Sequence, residues 1–114
     1  MTNSAQSSPD ITAHLMQLRE RYLDLINQQL PAKAKEGEMP VRFNHCFARI
    51  VLDNLFEGCW YDYLSRKQPA YKQLSEDQLA QAIDTAQLML QSPDTAKRLN
   101  TNSLRWRGKL STAT

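Results

Sequence analysis

Residues 75–94 read SEDQLAQAIDTAQLMLQSPD. Ser75 and Gln78 stand at the spacing of a capping box, in which an N-cap hydroxyl and a side chain three residues on satisfy each other's backbone N–H groups. Leu79, Ile83, Ala86 and Leu90 follow at steps of three and four, the period of one buried helix face. Ser92-Pro93-Asp94 is a second start signal. It offers a serine N-cap, a proline at the first helical position, where the missing N–H has no partner to lose, and an acid near the positive end of the helix dipole. The spacing predicts one helix over about 76–91 and a short one from Ser92 through Leu99. Asn102 or Ser103 is expected to cap a last turn holding Leu104 and Trp106, stopped by Gly108.

Upstream, Ser8-Pro9-Asp10 repeats that start signal. Ile11, Leu15, Leu18, Tyr22, Leu25 and then Gln29 or Leu30 form a stripe on a long helix ending near Pro31. PAKAKEGEMP at 31–40 reads as a connector. A further helix is expected after Pro40, running to about Leu64 with a bend at Gly58, and 66–74 reads as a loop around Pro69. No stretch alternates apolar and polar residues as a half-buried strand would. The fold class expected is all-α: a single small domain of four or five helices in an orthogonal or irregular bundle. It would span 9–109, between flexible tails at 1–8 and 110–114.

A chain of 114 residues with 41% hydrophobic residues is sized for one core and too short for two domains and a linker. The first ten residues carry no basic segment and no apolar run, so no signal peptide is readable. The longest aliphatic run, Ile50-Val51-Leu52, is far below the ~20 residues that span a bilayer. A cytoplasmic protein without membrane contact is the expectation. Cys46 and Cys59, thirteen positions apart on one expected helix, would lie roughly 20 Å apart and so could not bridge. With only His14 and His45 to join them, and no paired-ligand spacing, no metal site is expected. No glycine-rich phosphate loop or nucleophile elbow is present, so no cofactor is implied.

Charge is distributed unevenly beneath the formal +2: residues 75–95 carry four acids and no base, while residues 96–114 carry five bases and no acid. The basic group is Lys97, Arg98, Arg105, Arg107 and Lys109, arranged around Trp106. Cations would hold phosphates while an indole stacks on a base, which makes this segment a nucleic-acid candidate. The other reading anchors Trp106 in the core, with its basic neighbours offsetting the acidic helix.

The stretch VRFNHCFARIVLDNLF at 41–56 holds the remaining candidates. Drawn as a helix, Phe43, Cys46, Phe47, Ile50, Val51 and Leu55 share one arc, and Asn54 falls near its middle. A buried amide without partners costs about 1–3 kcal/mol, so Asn54 should tie a neighbouring segment to the core or meet a ligand. Arg42, His45, Arg49 and Asp53 share the opposite arc, which Phe56 and Trp60 continue. Arg49 and Asp53 are four apart and suited to pair along the helix. A guanidinium with an imidazole could also bind an anion or move a proton.

The leading functional expectation is a non-catalytic helical protein that binds a protein partner, or a second copy of itself, through the Phe56/Trp60 polar-aromatic face. The alternatives are nucleic-acid binding through 97–109 and a small anionic-ligand or enzyme site at His45, Arg49 and Asp53. The C-terminal segment 99–107 is expected to fold back on the helix of Asn54, whose amide would satisfy backbone groups there.

Overall fold

Helix α1 (Asn3–Asp24) passes directly into a π-helical turn, Leu25–Gln29, and then helix α2 (Leu30–Ala34). These come from a computed structural model that describes residues 3–109, with side chains from Thr12 onward. The expected tail at 110–114 lies outside the described residues, and α1 begins upstream of the Ser8-Pro9-Asp10 signal. The π turn settles the Gln29 or Leu30 alternative in the stripe. Leu30 donates its N–H to Leu25 O, five residues back, so one turn holds an extra residue. The buried face therefore runs Tyr22, Ile26, Leu30, Ala34, and Gln29 is exposed.

The same turn lets the helix pass Pro31, where it was expected to end. A proline in an α-helix clashes with the carbonyl four residues before it and removes a hydrogen bond. The wider π turn relieves that crowding just ahead of the ring. Three residues later the helix does end, and Gly37, at φ 101°, turns the chain in a conformation that suits glycine.

Helix α3 (Asn44–Phe56) is shorter than expected. Glu57 takes the left-handed conformation at φ 55°, and Gly58 N–H donates back to Asp53 O at 3.1 Å, closing the helix end. Gly58 stands next door, where a Cβ would sit 3.3 Å from the Tyr63 ring, a tight approach. Trp60 consequently lies in a 3-10 turn, Trp60–Asp62, and not on α3. A second 3-10 turn, Ala70–Gln73, interrupts the expected loop. Its Gln73 side chain fastens the loop, accepting from Ser65 N–H and donating to Ser65 O and Gln68 O.

Helix α4 (Glu76–Gln91) opens on the Ser75–Gln78 capping box, with both reciprocal bonds formed. It is the central helix, in contact with α1, α2, α3 and α5. Leu79, Ala82, Ile83, Ala86 and Met89 are buried along it, against Leu30, Phe47, Ile50 and Val51 from the other helices. Burying a side chain the size of Leu or Phe contributes roughly 1.5–3 kcal/mol.

Helix α5 (Pro93–Trp106) is capped by Ser92 and continues well past Leu99 as one helix. The expected break at Asn102 or Ser103 does not occur, because both side chains reach across to α3. Among the described residues there are no strands, and the domain is all-α.

Candidate functional site

The C-terminal half of α3 faces α5 through a dense polar network. Asp53 is fully buried, and its carboxylate accepts four hydrogen bonds. Oδ1 takes Trp60 N–H at 3.0 Å and Arg107 Nη2 at 3.1 Å, while Oδ2 takes Ser103 Oγ at 2.6 Å and Arg107 Nε at 2.6 Å. This paired guanidinium–carboxylate geometry is the strong form of the interaction. The hydrogen bond with Asp53 raises the Arg107 pKa well above its ordinary value, partial burial opposes the rise, and the Asp53 charge adds to it.

Arg49 does not pair with Asp53. It donates from Nη1 to Ser103 Oγ at 2.7 Å and from Nη2 to Asn100 Oδ1 at 3.0 Å, so both acceptors are neutral. Ser103 thereby relays between the two residues, accepting from Arg49 and donating to Asp53. Asn54 donates to Ile50 O at 2.8 Å and to Leu99 O at 2.9 Å, and accepts from Asn102 at 3.2 Å. Residues 99–107 thus do lie against the helix of Asn54, though as a continuous helix and not an irregular turn. His45 is exposed and takes no part. The trio His45, Arg49 and Asp53 therefore does not converge on a common point where a small ligand could react.

Asp53 also fixes the segment after α3. By accepting Trp60 N–H it pins the 3-10 turn, from which an aromatic ridge projects. Phe56 and Tyr63 stack with centroids 5.0 Å apart, and Trp60 meets Tyr61 edge-on at 4.6 Å. Phe56 and Trp60 are half-buried, packed against the core, whereas Tyr61 and Tyr63 are 40% and 56% exposed. The guanidinium carbons of Arg66 and Arg107 lie 4.2 and 4.9 Å from the Tyr61 ring centroid, within cation–π range. From sequence, the Trp60-Tyr61-Tyr63 group points to core or interface, whereas nothing singles out Arg66. The density of aromatic residues at 60–63 was the available signal.

The basic run at 97–109 separates into two roles. Arg107 belongs to the buried network. Lys97, Arg98, Arg105 and Lys109 are exposed, and Trp106 is 38% exposed, so it does not anchor the terminus in the core.

At the other end of α3, Arg42 and Phe43 precede the helix. Phe43 has extended backbone angles, so the helical arc that placed it in the core does not apply, and it is 63% exposed. Its ring lies parallel to that of His45, 5.9 Å between centroids. Two grooves meet beside them. One, of about 680 Å³, is bordered by Lys35, Met39, Arg42 and Phe43; the other, of about 400 Å³, by His45, Arg49, Trp60 and Tyr71. Asn27 and Asn44 border both, and Asn44 donates to Asn27 at 3.0 Å.

No group of histidine, cysteine or acidic residues suited to hold a metal ion occurs among the described residues. No described helix is long and apolar enough to cross a membrane. Compared with known proteins, the chain matches no family model, no curated protein and no solved structure.

Proposed function

We propose that this chain is a non-catalytic binding module whose partner, a second copy or another protein, docks on the aromatic ridge of residues 56–66. The observation that carries the reading is the exposure of Tyr61 and Tyr63 above half-buried Trp60 and Phe56, with Arg66 alongside. Tyrosine, tryptophan and arginine are the side chains enriched where interfaces concentrate their binding energy. The ridge is also tied to α3 from behind, through the Asp53–Trp60 bond. The Phe56/Trp60 face expected from sequence supplies the base of this surface, and the two tyrosines supply its outer layer.

The experiment combines light scattering over a wide concentration range with affinity capture. Both compare the parent chain with a Tyr61→Ser, Tyr63→Ser variant of unchanged melting behaviour. Self-association or partner capture that the variant loses supports the reading. A strict monomer that captures nothing in a ridge-dependent way overturns it.

A further inference from the structure

The two grooves beside the start of α3 adjoin at the hydrogen-bonded pair Asn27 and Asn44, which borders both, and together make an interrupted trough. Each falls in the size range of about 300–1,000 Å³ typical of ligand sites. Among the described residues, no aspartate or glutamate borders either groove. Glu36 and Glu38, the acids nearest in sequence to Lys35 and Arg42, border a small neighbouring cleft that shares Met39 with the first groove, and Glu36 pairs there with Lys33. Lys35 and Arg42 border the first groove, and Arg49 borders the second with its guanidinium bonded to neutral acceptors alone. The permanently charged side chains that border the two grooves are thus the cations Lys35, Arg42 and Arg49. The parallel Phe43 and His45 rings are exposed, Phe43 bordering the first groove and His45 the second.

We propose that this trough binds a short stretch of single-stranded nucleic acid, with phosphates held by Lys35 and Arg42 and a base stacked on the Phe43–His45 ring pair. A single strand offers charge and flat apolar surface in alternation, as Lys35 and Arg42 do beside the Phe43–His45 ring pair. An acidic peptide would meet the cations but has no regular planar group for the rings. A duplex keeps its bases stacked on one another and offers the Phe43 ring no free face. The second groove is also bordered by Trp60 and Tyr61 of the aromatic ridge, but the proposed contacts, Lys35, Arg42, Phe43 and His45, lie outside the ridge, so neither reading requires the other.

The test is fluorescence anisotropy of a labelled twelve-nucleotide single-stranded RNA and its DNA counterpart with the full chain. The matching duplex and a poly-glutamate peptide serve as competitors. With two phosphates contacted, affinity should fall roughly sevenfold between 50 and 200 mM salt. Phe43→Ala should weaken binding roughly 5- to 100-fold, the loss of one stacked base. Arg42→Glu should weaken it further, while Arg98→Glu on the exposed face of α5 should leave it within about twofold. Arg42 and Phe43 are both exposed, so these variants should fold, and circular dichroism checks that they do. Any of four results would overturn the proposal: no binding at 50 mM salt, equal competition by duplex, stronger competition by poly-glutamate, or a loss confined to Arg98→Glu. The last of these would place nucleic acid on α5.

Discussion

The two ends of α3 treat the same kinds of residue in opposite ways. At its C-terminal half, Arg49, Asp53 and Asn54 are engaged with α5, and each hydrogen-bond partner lies inside the domain. At its start, Arg42, Phe43 and His45 are exposed, the two rings stack on each other, and no described acid borders the nearby grooves. A basic or aromatic residue thus says little about function until its partners are known. Polar groups answered within the fold are there for the fold, and those left facing a groove are where binding is to be sought.

The sharpest way to break this comparison is Asp53→Ala. It leaves the Arg107 guanidinium, the Ser103 hydroxyl and Trp60 N–H without their acceptor in a buried setting. A loss of about 3–5 kcal/mol in urea unfolding is expected, typical of removing one partner from a buried pair. A loss below 1 kcal/mol would show that the network is not structural. Next in size is Asn54→Leu, which should cost about 1–3 kcal/mol even though leucine suits the apolar surroundings, because Asn102 loses its acceptor and Leu99 O a donor.

The comparison also has a pH signature. Burial pushes the Tyr22 hydroxyl well above its ordinary value near 10, and Arg107 is likewise raised, so both favour the fold while protonated. The raised pKa values make their contribution complete below the unfolded values. It is lost as pH rises beyond about 10, where Tyr22 ionises first in the unfolded chain. Tyr22→Phe should remove the alkaline decline in melting temperature that begins there. The smallest effect is expected at the start of α3: Arg42→Ala and His45→Ala should each change stability by less than about 0.5 kcal/mol. A larger loss would mean that this end, too, is engaged within the fold.

Local features of the fold were legible, because local interactions decide them. The capping box at Ser75 and the Ser92-Pro93-Asp94 start need only a few neighbouring residues, and both formed where the sequence put them. The π turn was not legible, since only the alignment of Ile26 and Leu30 with the core fixes it. Nor was the end of α3, where glutamate and not glycine took the left-handed position.

In the candidate site, the helical drawing set Asp53 on a polar face because its cation lies 54 residues away. Arg107 looked like one of five equivalent bases for the same reason. One clue was available. Asp53-Asn54 is the single polar interruption in IVLDNLF, and two adjacent polar residues in such a run must find partners inside. Phe43 was misplaced because a helical drawing was extended past the first residue of the helix.

The distance between Asp53 and Arg107 along the chain also has a meaning in time. At synthesis rates of about 5–20 residues per second, roughly 3 to 10 s separate the emergence of the carboxylate from that of its cation. During that interval α1, α2 and α4 can gather around Leu30 and Phe47, but α3 carries a charge it cannot bury. Until residue 107 has been made, the Asp53 carboxylate lacks the guanidinium that answers its charge, so the polar network between α3 and α5 is among the last parts of the fold that can close.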